Sequence, residues 1–226
     1  MADTATRRAA KLDNRAIALA SLPFMGMISF WQVYDGIVPK MLTGTFGLSN
    51  SLTGAIMAID NVFGLFLLPL FGILSDRCAS KLGRRTPFIL LGSGIATLSV
   101  PLIAIANNAG SLPLLICAIL ITLLAICMYR TMTVAIVADI TPRPLRTKAD
   151  SVQKIVGYAG TGVMLVAISV MVPNVERPDY LPLFLLQAAF VLVSAVVYGL
   201  LVKEPALVQK MHQKSLEMGI REDEVE

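Results

Sequence analysis

Two apolar runs of membrane-crossing length flank a short basic stretch, and no other feature of the sequence constrains the fold as strongly. The first run, LTGAIMAIDNVFGLFLLPLFGIL, covers residues 52–74, and the second, PFILLGSGIATLSVPLIAIA, covers residues 87–106. About 20 apolar residues rising 1.5 Å each cross a hydrocarbon layer of roughly 30 Å. The stretch between the runs, GILSDRCASKLGRRTP, is therefore predicted to be a loop at one face of a membrane.

The whole chain divides into apolar spans separated by short polar segments, which predicts an all-α membrane protein, a six-transmembrane-helix bundle. The six spans are expected at about 16–38, 52–74, 87–106, 112–138, 152–172 and 181–202. Residues 1–15 are expected to be a basic, cytosolic amino-terminal segment. Residues 203–226, which are polar and of mixed charge, are expected to be a cytosolic and mobile tail or the start of a central loop. Only 15% of the residues are charged, whereas about a quarter are charged in a typical soluble domain.

The positions of the cations predict how the spans are oriented. Sixteen of the 19 Lys and Arg residues fall on segments that share one side of the membrane. Lys40 and Arg177 lie on the other side, and Arg130 lies within a span. The positive-inside rule places the cation-rich side and both termini in the cytosol. Because the net charge of +4 comes from clusters beside the spans, we expect contact with a lipid bilayer, at the plasma membrane, and no nucleic-acid partner.

The basic loop carries a motif, Gly-x-Leu-Ser-Asp-Arg followed by Gly-Arg-Arg-x-Pro, that resembles the signature between helices 2 and 3 of the major facilitator transporters. Three features are similar to the glycoside–pentoside–hexuronide cation symporters and sucrose-type carriers. They are the long stretch between Arg77 and Gly83, the sequence GRRTPFI, and the segment YRTMTVAIVADITPRPLRTKADS from Tyr129. Gly83 suits a tight turn, because no side chain is in the way. The resemblance implies a cytoplasmic gate whose members are Gly72, Asp76, Arg77, Gly83, Arg84, Arg85 and, at the end of helix 4, Asp139.

The resemblance also implies a larger assembly. Major facilitator transporters have twelve helices in two six-helix halves, each built from inverted three-helix repeats. The chain is therefore expected to be an amino-terminal half that works with a second six-helix half or with another copy of itself. The alternative is a truncated, transport-inactive half that only associates with a partner bundle. The expected activity is cation-coupled symport of a glycoside or disaccharide such as sucrose or maltose, with no cofactor.

Three charges remain inside predicted spans, and each needs a reason because a charge in hydrocarbon costs at least about 2.5 kcal/mol. They are Asp35, Asp60 and Arg130, and we expect all three to face a water-filled cavity or each other. Either aspartate is a candidate for the coupling cation, although Asp35 could simply sit at the outer interface. Sodium-coupled melibiose carriers place two aspartates on helix 2 and one on helix 4. Here helix 2 has only Asp60 and helix 4 has Arg130, which favours a proton over sodium.

The remaining candidates for contact with a sugar are polar or aromatic residues of the first two spans. They are Trp31, Gln32, Tyr34 and Asn61, which join Arg130. Trp31 and Tyr34 are equally consistent with an interfacial aromatic belt. An intramembrane enzyme is not expected, because the only histidine, His212, lies in the tail. The GSG sequence from Gly92 is interpreted as a site of helix packing.

Overall fold

The computed structural model describes residues 12–173 and 178–219, and these ranges are helical with short connections. The expectations that concern residues 1–11, Arg177 and residues 220–226 lie outside the described residues. The helices are α1 (Asn14–Ala20), α2 (Leu22–Lys40, continued by a π turn over Met41–Thr45), α3 (Asn50–Met57), α4 (Ile59–Asp76), α5 (Thr86–Asn108), α6 (Leu112–Asp139), α7 (Arg146–Met171, preceded by a 3-10 turn over Arg143–Leu145), α8 (Leu181–Leu201) and α9 (Glu204–Glu217).

Within the described ranges, five helices are long and apolar enough to cross a membrane, and a sixth results if α1 and α2 are counted as one bent span. We number these spans 1 to 6: α1 with α2, α3 with α4, then α5, α6, α7 and α8. The loop 77–85 joins spans 2 and 3, and the end of the bundle that carries this loop is called the basic end. This is the expected all-α membrane bundle, with the number of helices found in one half of a major facilitator fold.

Span 1 bends by 46° between α1 and α2. Ser21 lies at the bend and its hydroxyl donates to the carbonyl of Ile17 at 2.7 Å. Pro23, two residues later, has no N–H with which to bond the carbonyl of Leu19. Loss of a backbone hydrogen bond beside a back-bonded serine is a common cause of a kink. As a result α1 leans over the basic end and packs on spans 4, 5 and 6.

The spans pack in a pattern that has internal two-fold symmetry. Span 1 packs mainly on spans 5 and 6, span 4 packs mainly on spans 2 and 3, and spans 3 and 6 pack on each other. Exchanging span 1 with 4, 2 with 5 and 3 with 6 maps this set of contacts onto itself. That exchange is the relation between the two halves of an inverted three-helix repeat, as the sequence predicts.

Spans 2 and 5 are far less covered than the others. In the most apolar 18 residues of each span, none of span 2 and 17% of span 5 are buried, against 44–50% for spans 3, 4 and 6. Large apolar side chains such as Leu65 and Val170 are 71% and 77% exposed. Two apolar faces therefore remain uncovered by the described part of the chain, at equivalent places in the two repeats.

Two segments differ from the sequence-based expectation. Span 5 begins at Arg146 instead of about residue 152, and Arg146 Nε donates to the carbonyls of Ala138 and Thr141 at 3.2 and 3.3 Å, which ties the start of the helix to the end of span 4. The tail, expected to be mobile, forms α9 over Glu204–Glu217. Glu204 and Met211 of this helix are buried against the basic end, which provides contacts that composition alone does not reveal.

Spans 3 and 4 approach closely at the GSG sequence, and this contact can be tested. A Cβ on Gly92 would lie 2.9 Å from the side chain of the fully buried Tyr129 and 3.0 Å from the carbonyl of Ala125, whereas a Cβ on Gly94 would meet nothing within 4 Å. We expect Gly92→Ala to destabilise the bundle by about 1–3 kcal/mol, because the two helices must separate.

The matched control is Gly94→Ala, which is expected to raise stability by roughly 0.5–1 kcal/mol through helix propensity. Thermal unfolding of both purified variants in detergent measures the difference. Equal midpoints for the two variants would show that the helices do not meet at Gly92.

Candidate functional site

Arg85 joins the ends of three spans at the basic end. It lies at the N-cap of span 3, and its guanidinium reaches Asp76 at the end of span 2 (Nη2 to Oδ1, 2.7 Å) and Asp139 at the end of span 4 (Nε to Oδ2, 2.9 Å). A third nitrogen, Nη1, donates to the hydroxyl of Ser75 at 2.7 Å. The planar, multi-donor guanidinium suits such a junction, which an ammonium group could not satisfy in the same geometry. We call these four residues, with Glu204 described below, the arginine cluster.

The guanidinium of Arg85 keeps its positive charge although this side chain is only 10% exposed. Burial acts to lower the pKa of the guanidinium, but the hydrogen bond to Asp139 and the charges of Asp139 and Asp76 outweigh it, so that the pKa is raised overall. One cation therefore faces two acidic side chains at this junction. This arrangement holds spans 2, 3 and 4 together electrostatically at the basic end.

Glu204, a residue that the sequence analysis did not single out, binds the backbone at the start of span 3. Its carboxylate accepts the backbone N–H groups of Arg84 (2.8 Å), Arg85 (3.0 and 3.1 Å) and Thr86 (2.8 Å), and the Thr86 hydroxyl at 2.8 Å. The hydroxyl of Tyr198 lies 2.9 Å from that of Thr86. A helix N-terminus has unpaired N–H groups and a positive dipole end, and a buried carboxylate satisfies both. Span 6 and α9 are thereby tied to the same loop.

The glycines of the sequence motif have different roles in the structure. Gly83 has φ of +113°, as a tight turn requires, and a Cβ there would run into the carboxyl group of Glu204. Gly72 does not reach the arginine cluster: a Cβ on it would meet only the methyl group of Thr131, at an ordinary 3.8 Å.

The arginines of the motif also differ in their roles, since only Arg85 has a buried side chain. The side chains of Arg77 and Arg84 are exposed, and Arg84 contributes its backbone N–H. The one sequence signal that pointed to Glu204 is the dipeptide Glu204-Pro205, since a proline at the first helical position marks a helix start.

A second group of predicted residues meets within the membrane, where spans 1, 2 and 4 converge. The guanidinium carbon of Arg130 lies 5.6 Å from the centre of the Trp31 ring, which is cation–π range. Trp31 in turn packs edge-on against Tyr34, with ring centres 5.6 Å apart. Trp31 is thus in contact with span 4, and Tyr34 is fully buried in the bundle, which does not fit a simple interfacial belt.

The acidic residues lie beside this aromatic group. Asp60 of span 2 lies within electrostatic range of Asp35 and of the Tyr34 hydroxyl on span 1. Asn61 donates to Asp60 Oδ1 from its side-chain amide at 2.9 Å and from its backbone N–H at 2.7 Å. Asp60 follows the break in span 2 at Ala58 and lies in the first turn of α4, where an acidic side chain is favourable.

The intramembrane cluster therefore consists of Trp31, Tyr34, Asp35, Asp60 and Arg130, with Asn61 bound to Asp60. Gln32 is partly buried on the same span, and Asp35 and Asn61 are exposed. Cys127, which the sequence analysis did not propose, is buried one helical turn from Arg130. In the described ranges no group of three His, Cys, Asp or Glu residues could hold a metal ion. What the cluster offers is hydrogen-bonding groups, aromatic faces and ionisable side chains of both signs.

A bundle of membrane-length helices with ionisable residues gathered on facing spans is the arrangement expected of a solute transporter. Comparison with known proteins agrees, since residues 19–219 match the profile of the Major Facilitator Superfamily. The chain belongs to this superfamily.

Individual relatives point in the same direction over shorter segments. The chain is 40% identical over 68 residues to the sucrose transport protein SUC3 of Arabidopsis thaliana, covering 30% of the chain and 11% of that relative. It is 34% identical over 98 residues to the sucrose transport protein SUT1 of Oryza sativa subsp. japonica, covering 42% of the chain and 18% of the relative. The chain thus matches less than a fifth of these relatives' length. No solved structure gives a significant match.

The role of Glu204 can be tested by removing its negative charge. Glu204→Gln is expected to lower stability by about 2 kcal/mol, because one amide cannot accept all the hydrogen bonds that the buried carboxylate accepts. Hydrogen–deuterium exchange should show faster exchange of the amides of Arg84, Arg85 and Thr86. The exposed Glu217 provides the control: Glu217→Gln should leave these amides protected. Unchanged exchange in the Glu204 variant would mean that another group holds the loop.

Proposed function

We propose that the chain forms one six-helix bundle of a secondary active transporter that moves a sugar-type solute, such as sucrose or maltose, by alternating access. The observation that carries the proposal is the intramembrane cluster: Trp31, Arg130 and Asp60 come from three different spans and meet at one place. Aromatic faces and charge-assisted donors are groups that bind a polyhydroxylated ring. The similarity to proteins named as sucrose transporters supports this class of solute.

Proton coupling through Asp60 is the second part of the proposal. Asp60 is the one acid of span 2 within the bundle, and its neighbours are the acidic Asp35 and the amide of Asn61. Two carboxyl groups near each other share protons more readily than they both ionise. In this scheme Asp60 takes up a proton on one side of the membrane and releases it on the other. Arg130 binds solute hydroxyls or the ionised carboxylate in turn.

The cavity for solute is proposed to form between this bundle and a second one, either another six-helix half or another copy of the chain. The uncovered apolar faces of spans 2 and 5 support this, since each leaves large side chains such as Leu65 and Val170 largely exposed in the described part of the chain. Rocking of one bundle against the other would open the intramembrane cluster to each side alternately.

The basic end is proposed to face the cytosol, in the plasma membrane. The support is the distribution of cations, because the loop 77–85 and the start of span 5 are basic and lie at the same end. The arginine cluster would then act as a cytoplasmic gate that closes when spans 2, 3 and 4 are drawn together.

The transport proposal is tested by uptake of labelled sucrose and maltose into proteoliposomes with an inward proton gradient. The chain is expected to accumulate one of these sugars, and Asp60→Asn is expected to abolish accumulation while sparing exchange, because exchange needs no net proton transfer. The control is Asp150→Asn, which removes only a surface ion pair with Lys154. Accumulation by the Asp60 variant would contradict proton carriage by this residue. Absence of both accumulation and exchange in the unmodified chain, with and without a co-expressed partner half, would contradict transport.

Orientation is tested with Cys78, which lies in the loop of the basic end. In a chain whose other cysteines, Cys117 and Cys127, are replaced by serine, an impermeant maleimide should label Cys78 only after the cells are permeabilised. As a control, Ala109→Cys in the turn at the opposite end should be labelled in intact cells. Labelling of Cys78 in intact cells would place the basic end outside.

A further inference from the structure

A groove at the basic end separates the start of span 1 from the end of span 6. It lies between α1 and the junction of α8 with α9 and has a volume of about 370 Å³. The groove is open on one side, and its lining includes Leu19 and Leu201, which belong to spans 1 and 6. Leu201 is 60% exposed. One wall of the groove is therefore continuous with the lipid-facing surface of the bundle.

The rim of this groove is positively charged. Arg15 projects from α1, Lys203 from the junction after span 6 and Lys210 from the second turn of α9, and all three line the groove and are exposed. None of the three takes part in an ion pair with a residue in the ranges 12–173 and 178–219. The acid on the lining, Asp13, already accepts the backbone N–H of Ala16 at 3.1 Å as the N-cap of α1. The groove thus has cationic groups without acidic partners above an apolar floor.

We propose that this groove binds the headgroup of an anionic phospholipid. The phosphate would lie among Arg15, Lys203 and Lys210, and an acyl chain would follow Leu19 and Leu201 into the membrane. Cations between helices at the membrane surface attract anionic headgroups in this way. A volume of 370 Å³ equals the share of roughly a dozen water molecules in the liquid, which leaves room for a phosphoryl headgroup. The apolar floor favours a lipid over a soluble anion, because only a lipid covers both surfaces.

The bend of span 1 makes the groove possible. Because α1 turns by 46° at Ser21 and leans over the basic end, its first turn lies beside the start of α9 instead of continuing along span 6. Glu204 anchors the start of α9 to the loop before span 3 at the same level. A lipid bound here would bridge α1 and α9, and so would hold α1 beside the helix that carries Glu204. The inference does not depend on which solute the protein carries.

The test is native mass spectrometry of the detergent-purified full chain, titrated with palmitoyl-oleoyl phosphatidylglycerol and, separately, with the matching phosphatidylcholine. We expect preferential binding of phosphatidylglycerol. Each cation near the site contributes on the order of a five-fold factor in affinity, so Lys203→Gln with Lys210→Gln should weaken binding roughly thirty-fold, and Arg15→Gln alone roughly five-fold. The control pair, Lys81→Gln with Lys148→Gln, removes two exposed cations from the same end and should leave binding unchanged.

Three outcomes would overturn the proposal. The first is equal binding of the two lipids, and the second is an equal loss in the control pair, which would indicate a general surface charge effect. The third is displacement of phosphatidylglycerol by millimolar inorganic phosphate, which would indicate a site for a soluble anion. Because the substituted side chains are exposed, thermal unfolding should be unchanged in lipid-free detergent, and this measurement shows that any loss of lipid comes from the groove.

Discussion

The structure depends on one buried arginine. Arg85 bonds the carboxylates that end spans 2 and 4, and its own backbone N–H is held by Glu204, which follows span 6. Spans 2, 3, 4 and 6 are thus joined to one another through a single residue, Arg85. Breaking a buried ion pair by removing one partner is costly, since the remaining charge stays buried. A junction of this kind favours two discrete arrangements, intact or separated, over continuous deformation.

The arginine cluster and the intramembrane cluster lie on the same spans at different depths. Asp60 and Asp76 are the two acids of span 2, sixteen residues apart, and Arg130 and Asp139 are nine residues apart on span 4. At 1.5 Å per residue the paired sites are separated by roughly 24 and 14 Å along the two helices. Because spans 2 and 4 pack directly on each other, a tilt of one against the other changes both clusters together. The intramembrane cluster near Arg130 and the arginine cluster near Arg85 are therefore mechanically linked through the helices α4 and α6.

Much of this architecture was predictable from sequence, and the exceptions share a cause. The spans follow from apolar runs, because a helix that crosses a bilayer needs about 20 consecutive, mostly apolar residues. The tight turn at Gly83 follows from its lack of a side chain, and the turn has positive φ. Glu204 could not be found in this way, since it bonds residues about 120 positions earlier in the chain. Gly72 belongs to the same motif as Gly83 but has no part in the arginine cluster. It faces Thr131, and the motif does not indicate which residue lies opposite a glycine.

The symmetric packing of the two repeats also explains why the uncovered apolar surface lies on spans 2 and 5. In each repeat one helix, span 2 or span 5, packs mainly on a single helix of the other repeat, so most of its surface has no neighbour. Because the repeat relation exchanges these two helices, they are left uncovered as an equivalent pair.

An apolar surface of this kind is satisfied by lipid tails, but Asp60 on span 2 is not, since an ionised carboxylate in hydrocarbon is unfavourable. The partial exposure of Asp60, with its only hydrogen bonds coming from the adjacent Asn61 within the described residues, therefore favours an aqueous passage at this face over lipid. A second bundle that encloses water against spans 2 and 5 would satisfy both the apolar surface and the charge.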